Sequence, residues 1–141
     1  MGNYIIPFVT AAIISLVMTP VARKIAYSIK AIDIPKDERR VHKKPIPLLG
    51  GLAIYISIII SMLIFLPLDR TNFSIIIGST IIVICGIIDD TKDLSPKMKL
   101  LFQLVASIVL ILGDVKITFL TNPFKGGLLY LHGFSIPLTI F

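Results

Sequence analysis

The sequence predicts an all-α polytopic membrane protein with about four transmembrane helices and a short external β-hairpin. Three observations carry that prediction. Hydrophobic residues form 55% of the 141-residue chain and charged residues only 16%, with a mean hydropathy of +0.93. The charges fall in blocks, leaving residues 1–22, 45–68, 71–88 and 100–113 without any. Lysine and arginine concentrate on alternate loops. An ordinary soluble domain carries about a quarter charged residues.

The elements follow in order. The first three charge-free windows hold 22, 24 and 18 residues, enough to cross a hydrocarbon core of ~30 Å at ~1.5 Å per residue. The fourth holds 14 and rises only ~21 Å. Its helix must therefore start near Pro96, which draws Lys97 and Lys99 towards the lipid boundary. Helices are predicted near 4–28, 48–66, 73–88 and 96–113, all within one membrane domain spanning 1–141.

Pro7 lies near the start of the first helix, and Pro20 is expected to kink it. Pro35, Pro45 and Pro47 favour extended backbone, which predicts a structured loop before the second helix. Gly50 and Gly51 open that helix, where the absence of Cβ admits a close neighbour. Asp69 to Asn72 reads as a tight external turn. Ser95 and Pro96 are a favoured N-cap and first helical residue. Partial alternation over Val115–Thr121, then Gly126-Gly127 before Leu128–Leu131, predicts a hairpin near 115–131. Ile136 to Phe141 reads as the beginning of a fifth span.

Charge sets the orientation. The loop 23–44 carries eight lysines and arginines and the loop 89–99 three, against one in the second loop and two after residue 113. The N-terminus is therefore expected outside and both basic loops in the cytoplasm, in a multi-pass plasma-membrane protein. The net charge of +6 belongs mostly to loop 23–44, which suits anionic headgroups or an anionic substrate. No nucleic-acid partner is expected, because the basic residues flank spans and lack interleaved aromatics. The first residues lack a basic segment, so no cleavable signal is expected. Ile6 disfavours myristoylation. Cys85 reads as a small packing residue with no disulfide partner.

The candidate chemistry lies in Asp89-Asp90-Thr91-Lys92-Asp93-Leu94-Ser95-Pro96-Lys97-Met98-Lys99. Carboxylates at a membrane boundary are costly unless partnered, and an acid pair with nearby lysines suits a divalent cation and a phosphate. Mg²⁺ is commonly held by one or two carboxylates and substrate phosphate oxygens. Adjacent residues diverge by ~100° on a helix, so Asp89 and Asp90 cannot address one ion identically. One is free to orient Mg²⁺ while the other positions a phosphate or accepts a proton. The competing reading makes them helix-end residues, although a carboxylate there opposes the helix dipole.

Lys99, in the first turn of its helix, also opposes the dipole unless it binds phosphate. Gln103 is four residues on and shares its face. Lys97 reads as a snorkelling residue, and Asp93 as a turn acid. His42, among Arg40, Lys43 and Lys44, is a poor metal ligand and a better contact for phosphate or sugar. There is no Ser-His-Asp order, zinc spacing or glycine-rich nucleotide loop. Chemistry here would be phosphoryl transfer by positioning and charge neutralisation.

Two motif blocks carry a resemblance. The first is Asp33-x-Pro35, Arg39-Arg40-x-His42-x-x-Pro45-x-Pro47-x-x-Gly50-Gly51. The second is Gly86-x-x-Asp89-Asp90, Leu94-Ser95-Pro96-x-x-Lys99-Leu100-x-x-Gln103. Together they resemble the polyprenyl-phosphate N-acetylhexosamine-1-phosphate transferases, glycosyltransferase family 4. The branch using UDP-N-acetylmuramoyl-pentapeptide usually has a Thr-Pro-Thr-Met-Gly-Gly type of segment. Ile46-Pro47-Leu48-Leu49 before Gly50-Gly51 favours the branch using UDP-GlcNAc and undecaprenyl phosphate.

The resemblance implies a Mg²⁺-dependent enzyme, with Mn²⁺ admitted, that makes the first lipid-linked intermediate of an envelope glycan such as teichoic acid or lipopolysaccharide. It implies Asp89 and Asp90 as catalytic and metal-binding, with Lys99, Gln103, His42, Gly50 and Gly51 on the substrate phosphates. Undecaprenyl phosphate, UDP-GlcNAc and the bilayer are the implied partners, and a homodimer is admitted. The family is about twice as long and carries further Asn-x-x-Asn, Asp-Gly-x-Asp-Gly and histidine-cluster motifs. This chain is therefore expected to be its N-terminal part, inactive alone. The rival classes are a non-catalytic membrane subunit or remnant, and a small cation transporter. A transporter predicts polar residues deep in the spans, where this chain has mainly Ile, Leu and Val.

Overall fold

The structure is a computed structural model, and residues 4–33, 45–122 and 126–140 are described. They are mostly helical. Helix α1 is Ile5–Ser28, α2 Gly50–Phe65, α3 Arg70–Lys92, α4 Pro96–Leu112 and α5 Ser135–Ile140. Two short antiparallel pairs interrupt them: β1 (Ile32–Asp33) with β2 (Ile46–Pro47), and β3 (Phe119–Thr121) with β4 (Leu128–Tyr130). The second pair is the hairpin expected after the fourth helix. The chain divides into two compact units: Met1–Pro67 with Val83–Pro96, and Leu68–Ile82 with Lys97–Phe141.

Helices α1 and α3, at 24 and 23 residues, are long and apolar enough to cross a membrane. Only 6% and 11% of their apolar windows are buried, so neither is the core helix of a soluble domain. Helices α2 and α4, with 16 and 17 residues, rise about 24–26 Å, just under a full hydrocarbon core.

In the first unit α1 and α2 pack through small residues. Ala53, Ser57 and Ser61 repeat every four residues along α2 and are buried, as are Ala22 and Ala26 on α1. Small side chains let two backbones approach closely, the main source of helix association in lipid. The Ser61 hydroxyl donates across the seam to the Pro7 carbonyl at 3.1 Å, and Ser57 donates within its own helix to Ile54 at 2.7 Å. Helix α1 runs through Pro20 without interruption.

The end of α1 closes on itself. Lys30 takes a left-handed φ of 61°, the Ala31 N–H donates to the Ala26 carbonyl at 2.9 Å, and Lys30 donates to Tyr27 at 3.4 Å. This is a Schellman closure, usually built on glycine. It brings Ala31 back onto Ala26, and with Leu49 they form a fully buried cluster joined by Leu52 and Ile87. The β1–β2 pair and a bond from Leu48 N–H to the Ala31 carbonyl at 3.0 Å tie both ends of the basic loop to this cluster.

In the second unit the start of α3 meets the end of α4. A Cβ on Gly113 would overlap the Ser74 side chain, and one on Gly78 would lie 3.3 Å from Leu110. Thr71 donates to the Gly113 carbonyl at 3.1 Å, and Arg70 stands 4.0 Å from Asp114. Helix α4 ends in a second Schellman closure, with Asp114 at φ 63° and the Val115 N–H bonded to Leu110 at 3.0 Å.

Helix α3 starts three residues before and ends four residues after the 73–88 span expected from sequence. At its start the Asp69 carboxylate accepts the Asn72 N–H at 2.7 Å, an N-cap where a turn was expected. At its end the helix continues through Asp89 and Asp90 to Lys92.

Replacing Gly113 with Ala should destabilise the protein by about 1–3 kcal/mol through overpacking against Ser74. Gly133→Ala, where a Cβ meets nothing within 4 Å, is the control. Thermal unfolding in detergent should separate the two variants.

Candidate functional site

Asp89 and Asp90 lie in the last turn and a half of α3, both half-buried. Their side chains do different things. The Asp89 carboxylate accepts the Leu94 N–H at 3.0 Å, while its carbonyl accepts the Asp93 N–H at 2.9 Å. Asp93 sits at φ 49°, the left-handed position that ends a helix, which Asp tolerates better than most residues. Asp89 thus ties off α3 and turns the chain towards Ser95, and Asp93 is the turn acid. Thr91 returns its hydroxyl to the Ile87 and Ile88 carbonyls at 3.0 Å, satisfying further acceptors near the helix end.

Asp90 is directed elsewhere. It lines a cleft of about 150 Å³ with Leu48, Leu49, Gly51, Leu52, Gly86 and Ile87. Leu49, Leu52 and Ile87 also belong to the buried cluster that holds the end of α1, so the cleft is built on that cluster. A Cβ on Gly50, Gly51 or Gly86 would meet nothing within 4 Å. Internal packing of the described residues therefore does not require these glycines. Glycine inside a helix costs about 1 kcal/mol relative to alanine. At Gly51 and Gly86 that cost keeps one side of the Asp90 cleft open.

The structure brings Asp90 and Gly51 together. Gly50 is the exposed first residue of α2, one position before the cleft. His42 lies outside the described residues. Lys99 and Gln103 lie on α4 in the second unit, Lys99 half-buried and Gln103 exposed. The Gln103 carbonyl accepts the Ser107 hydroxyl at 2.8 Å. Cys85 is buried and makes no disulfide. Gly86 is the residue that sequence reasoning left among the motif letters without a role. Its signal was the four-residue spacing to Asp90, which puts both on one helix face.

Apolar helices that end in a small acid-lined cleft place the chain among helical membrane proteins. The comparison with known proteins is narrower. The model of the family described as glycosyl transferase family 4 matches residues 72–141. A probable undecaprenyl-phosphate N-acetylglucosaminyl 1-phosphate transferase of Bacillus subtilis is 34% identical over 141 residues, covering 99% of this chain and 39% of that protein. The decaprenyl-phosphate N-acetylglucosaminephosphotransferase of Mycolicibacterium smegmatis is 32% identical, covering 83% of this chain and 31% of its own. The undecaprenyl-phosphate α-N-acetylglucosaminyl 1-phosphate transferase of Pasteurella multocida is 28% identical, covering 77% and 29%. No solved structure matches. The chain belongs to glycosyl transferase family 4, and it spans 29–39% of the length of these relatives.

Asp89→Ala should cost about 1 kcal/mol, because the part-buried Leu94 N–H loses its acceptor. A thermal melt of the variant beside the wild-type protein checks this.

Proposed function

We propose that this chain forms the acidic part of a transferase site that moves GlcNAc-1-phosphate from UDP-GlcNAc to undecaprenyl phosphate. The observation that carries the reading is the Asp90 cleft, open at Gly51 and Gly86 and set at the end of an apolar helix. The substrates named for the Bacillus subtilis and Pasteurella multocida relatives agree in including undecaprenyl phosphate. In this reading the chain is one membrane domain with four spans, its N-terminus outside and its basic loops cytoplasmic. The short helices α2 and α4 then cross with help from flanking residues, as a modest mismatch allows.

The reaction joins an oxygen of the lipid phosphate to the β-phosphorus of UDP-GlcNAc. The bond from that phosphorus to the bridging oxygen breaks, UMP leaves, and a lipid-linked diphosphate sugar remains. Asp90 has the cleft-facing carboxylate and is the residue that orients the reacting phosphate, directly or through a bound cation. Asp89 is a positioning residue that holds the helix end from which Asp90 projects. Lys99, at the start of α4, supplies a cation beside a helix N-terminus, a favourable place for phosphate. The family resemblance assigns Gln103, one turn on and on the same face as Lys99, to substrate phosphate as well. It assigns His42 and the Gly50-Gly51 step to the substrate phosphates too.

The donor set bears on the cation. Among the described residues no group of three or more His, Cys, Asp or Glu side chains can hold a metal. Asp89 and Asp90 therefore do not fit a wholly protein-made cage. They fit Mg²⁺, or Mn²⁺, held by one or two carboxylates and completed by phosphate oxygens and water. When bound, that cation neutralises charge developing on the transferred phosphoryl group.

Membranes from cells expressing a full-length transferase that contains this segment, given radiolabelled UDP-GlcNAc and undecaprenyl phosphate, should form a lipid-linked product. Asp90→Asn should lower its rate about a hundredfold or more, the scale of losing one charge-stabilising group. Gly51→Ala should lower activity while leaving thermal stability equal or higher, because it narrows the cleft without a clash. An unaffected Asp90→Asn variant would sink the proposal. The purified 141-residue chain with both substrates and Mg²⁺ should release no UMP, and measurable release would show that it is sufficient by itself.

A further inference from the structure

The second unit holds a feature that the transferase reading does not use. After α4, residues 115–141 contain no Asp or Glu. The strands β3 and β4 are exposed along their whole length, and five of their six residues are large and apolar: Phe119, Leu120, Leu128, Leu129 and Tyr130. An isolated two-stranded hairpin is marginal in water, and this one has no buried face.

The hairpin is nevertheless tied firmly to α5. Ser135 donates its hydroxyl to the Ile117 carbonyl, and the Ile117 N–H donates to the Thr139 hydroxyl at 3.0 Å. The Leu131 N–H reaches the Thr118 carbonyl at 2.9 Å. Hairpin, turn and helix therefore form one element with two clefts.

One cleft is polar, about 300 Å³, and lined by Lys116, Thr118, Tyr130, His132, Ser135 and Ile136. The other is apolar, about 440 Å³, and lined by Leu120, Leu131, Phe134, Pro137 and Leu138. Neighbours in sequence divide between them: Tyr130 lines the first and Leu131 the second, as do Ile136 and Pro137.

The polar cleft suits an anion. Among the described residues no carboxylate pairs with Lys116, and Asp114, the nearest acid in sequence, is held 4.0 Å from Arg70. His132 has a left-handed φ of 40°, and its Nδ1 lies 3.2 Å from the Tyr130 carbonyl. A carbonyl only accepts, so that nitrogen carries a proton, and Nε2 is the ring's remaining polar atom.

We infer that this element binds one anionic phospholipid. Its phosphodiester sits in the cleft of Lys116, Thr118, Tyr130 and His132, and an acyl chain in the cleft of Leu120, Leu131, Phe134 and Leu138. A small soluble anion would have no use for the second cleft. A neutral lipid would have none for Lys116. A bilayer also supplies the apolar surroundings that both faces of the hairpin require, with Phe119, Tyr130 and Phe134 at the interfacial level that aromatic rings favour. The inference rests on the membrane setting proposed above but not on the transfer reaction.

The test is native mass spectrometry of the full chain released from nanodiscs containing equal phosphatidylglycerol and phosphatidylcholine. One phosphatidylglycerol per chain should be retained in preference to phosphatidylcholine. Lys116→Gln with His132→Asn, the Asn chosen to tolerate the left-handed backbone, should weaken retention at least roughly fivefold, the scale of losing the one lysine charge. Lys116→Arg should retain the lipid, which guards against a folding defect in the double variant. Phe134→Ser should lower retention with Lys116 and His132 intact. Equal retention of the two lipids, or an unaffected double variant, would overturn the inference. Displacement of the lipid by millimolar inorganic phosphate would overturn it in favour of a free-phosphate site. Because lipid occupancy is read, inactive Asp90→Asn protein should behave as wild type, so failure here and failure of the transferase reading are separable.

Discussion

The structure depends on close approach between helices that have almost no large side chains to bury. The buried apolar residues among those described are Ala22, Ala26, Ala31, Leu49, Ala53, Cys85 and Ala106, while Ile, Leu, Val and Phe mostly face outward. In water that arrangement would forfeit the main driving force of folding. In lipid, an outward Leu costs nothing, and cohesion comes from backbone proximity and a few hydrogen bonds. Ala53, Ser57 and Ser61 against Ala22 and Ala26 supply that proximity in one unit. Gly113 against Ser74, and Gly78 against Leu110, supply it in the other. The cleft inherits its walls from the first of these seams, through Leu49 and Leu52.

Two adjacent carboxylates carry two separate duties. Asp89 accepts the Leu94 N–H and closes the helix, whereas Asp90, about 100° further round, reaches the cleft. A helix end is electrostatically poor for acids, and for Asp89 part of the compensation is visible in its capping bond. Asp90 lines the cleft, which is why the transferase reading turns on it rather than on Asp89. Gly51 and Gly86, which line the same cleft, give up helix stability where no internal neighbour needs the room.

Helix ends here are closed by residues other than glycine. Lys30, Asp93 and Asp114 all hold left-handed φ values of 49–63°. Each conformation is costly for a residue with Cβ, and each is offset by bonds to carbonyls at the helix end. The closures also set where the chain goes next: Ala31 back onto the core, Leu94 towards α4, and Val115 towards the hairpin. None of the three has the glycine that marks such a stop, which is why the end of α3 was invisible in the sequence and Asp89 and Asp90 were expected beyond it rather than within it.

The sequence by itself determined what depends on composition and local chemistry. Blocks of Ile, Leu and Val between charged loops make apolar helices, Ser95-Pro96 starts one of them, and Gly126-Gly127, both at positive φ, turn the hairpin. Motif spacing was also legible, because Gly86, Asp89 and Asp90 lie close together along the chain. Tertiary structure alone decided which carboxylate faces the cleft, and that Gly51 and Gly86 stand open to it while Gly113 is filled by a neighbour. The physical reason is that helical period sets only the relative directions of side chains. Their absolute direction comes from what packs against the helix, and here Leu49, Leu52 and Ile87 on the Ala26–Ala31 cluster make that choice.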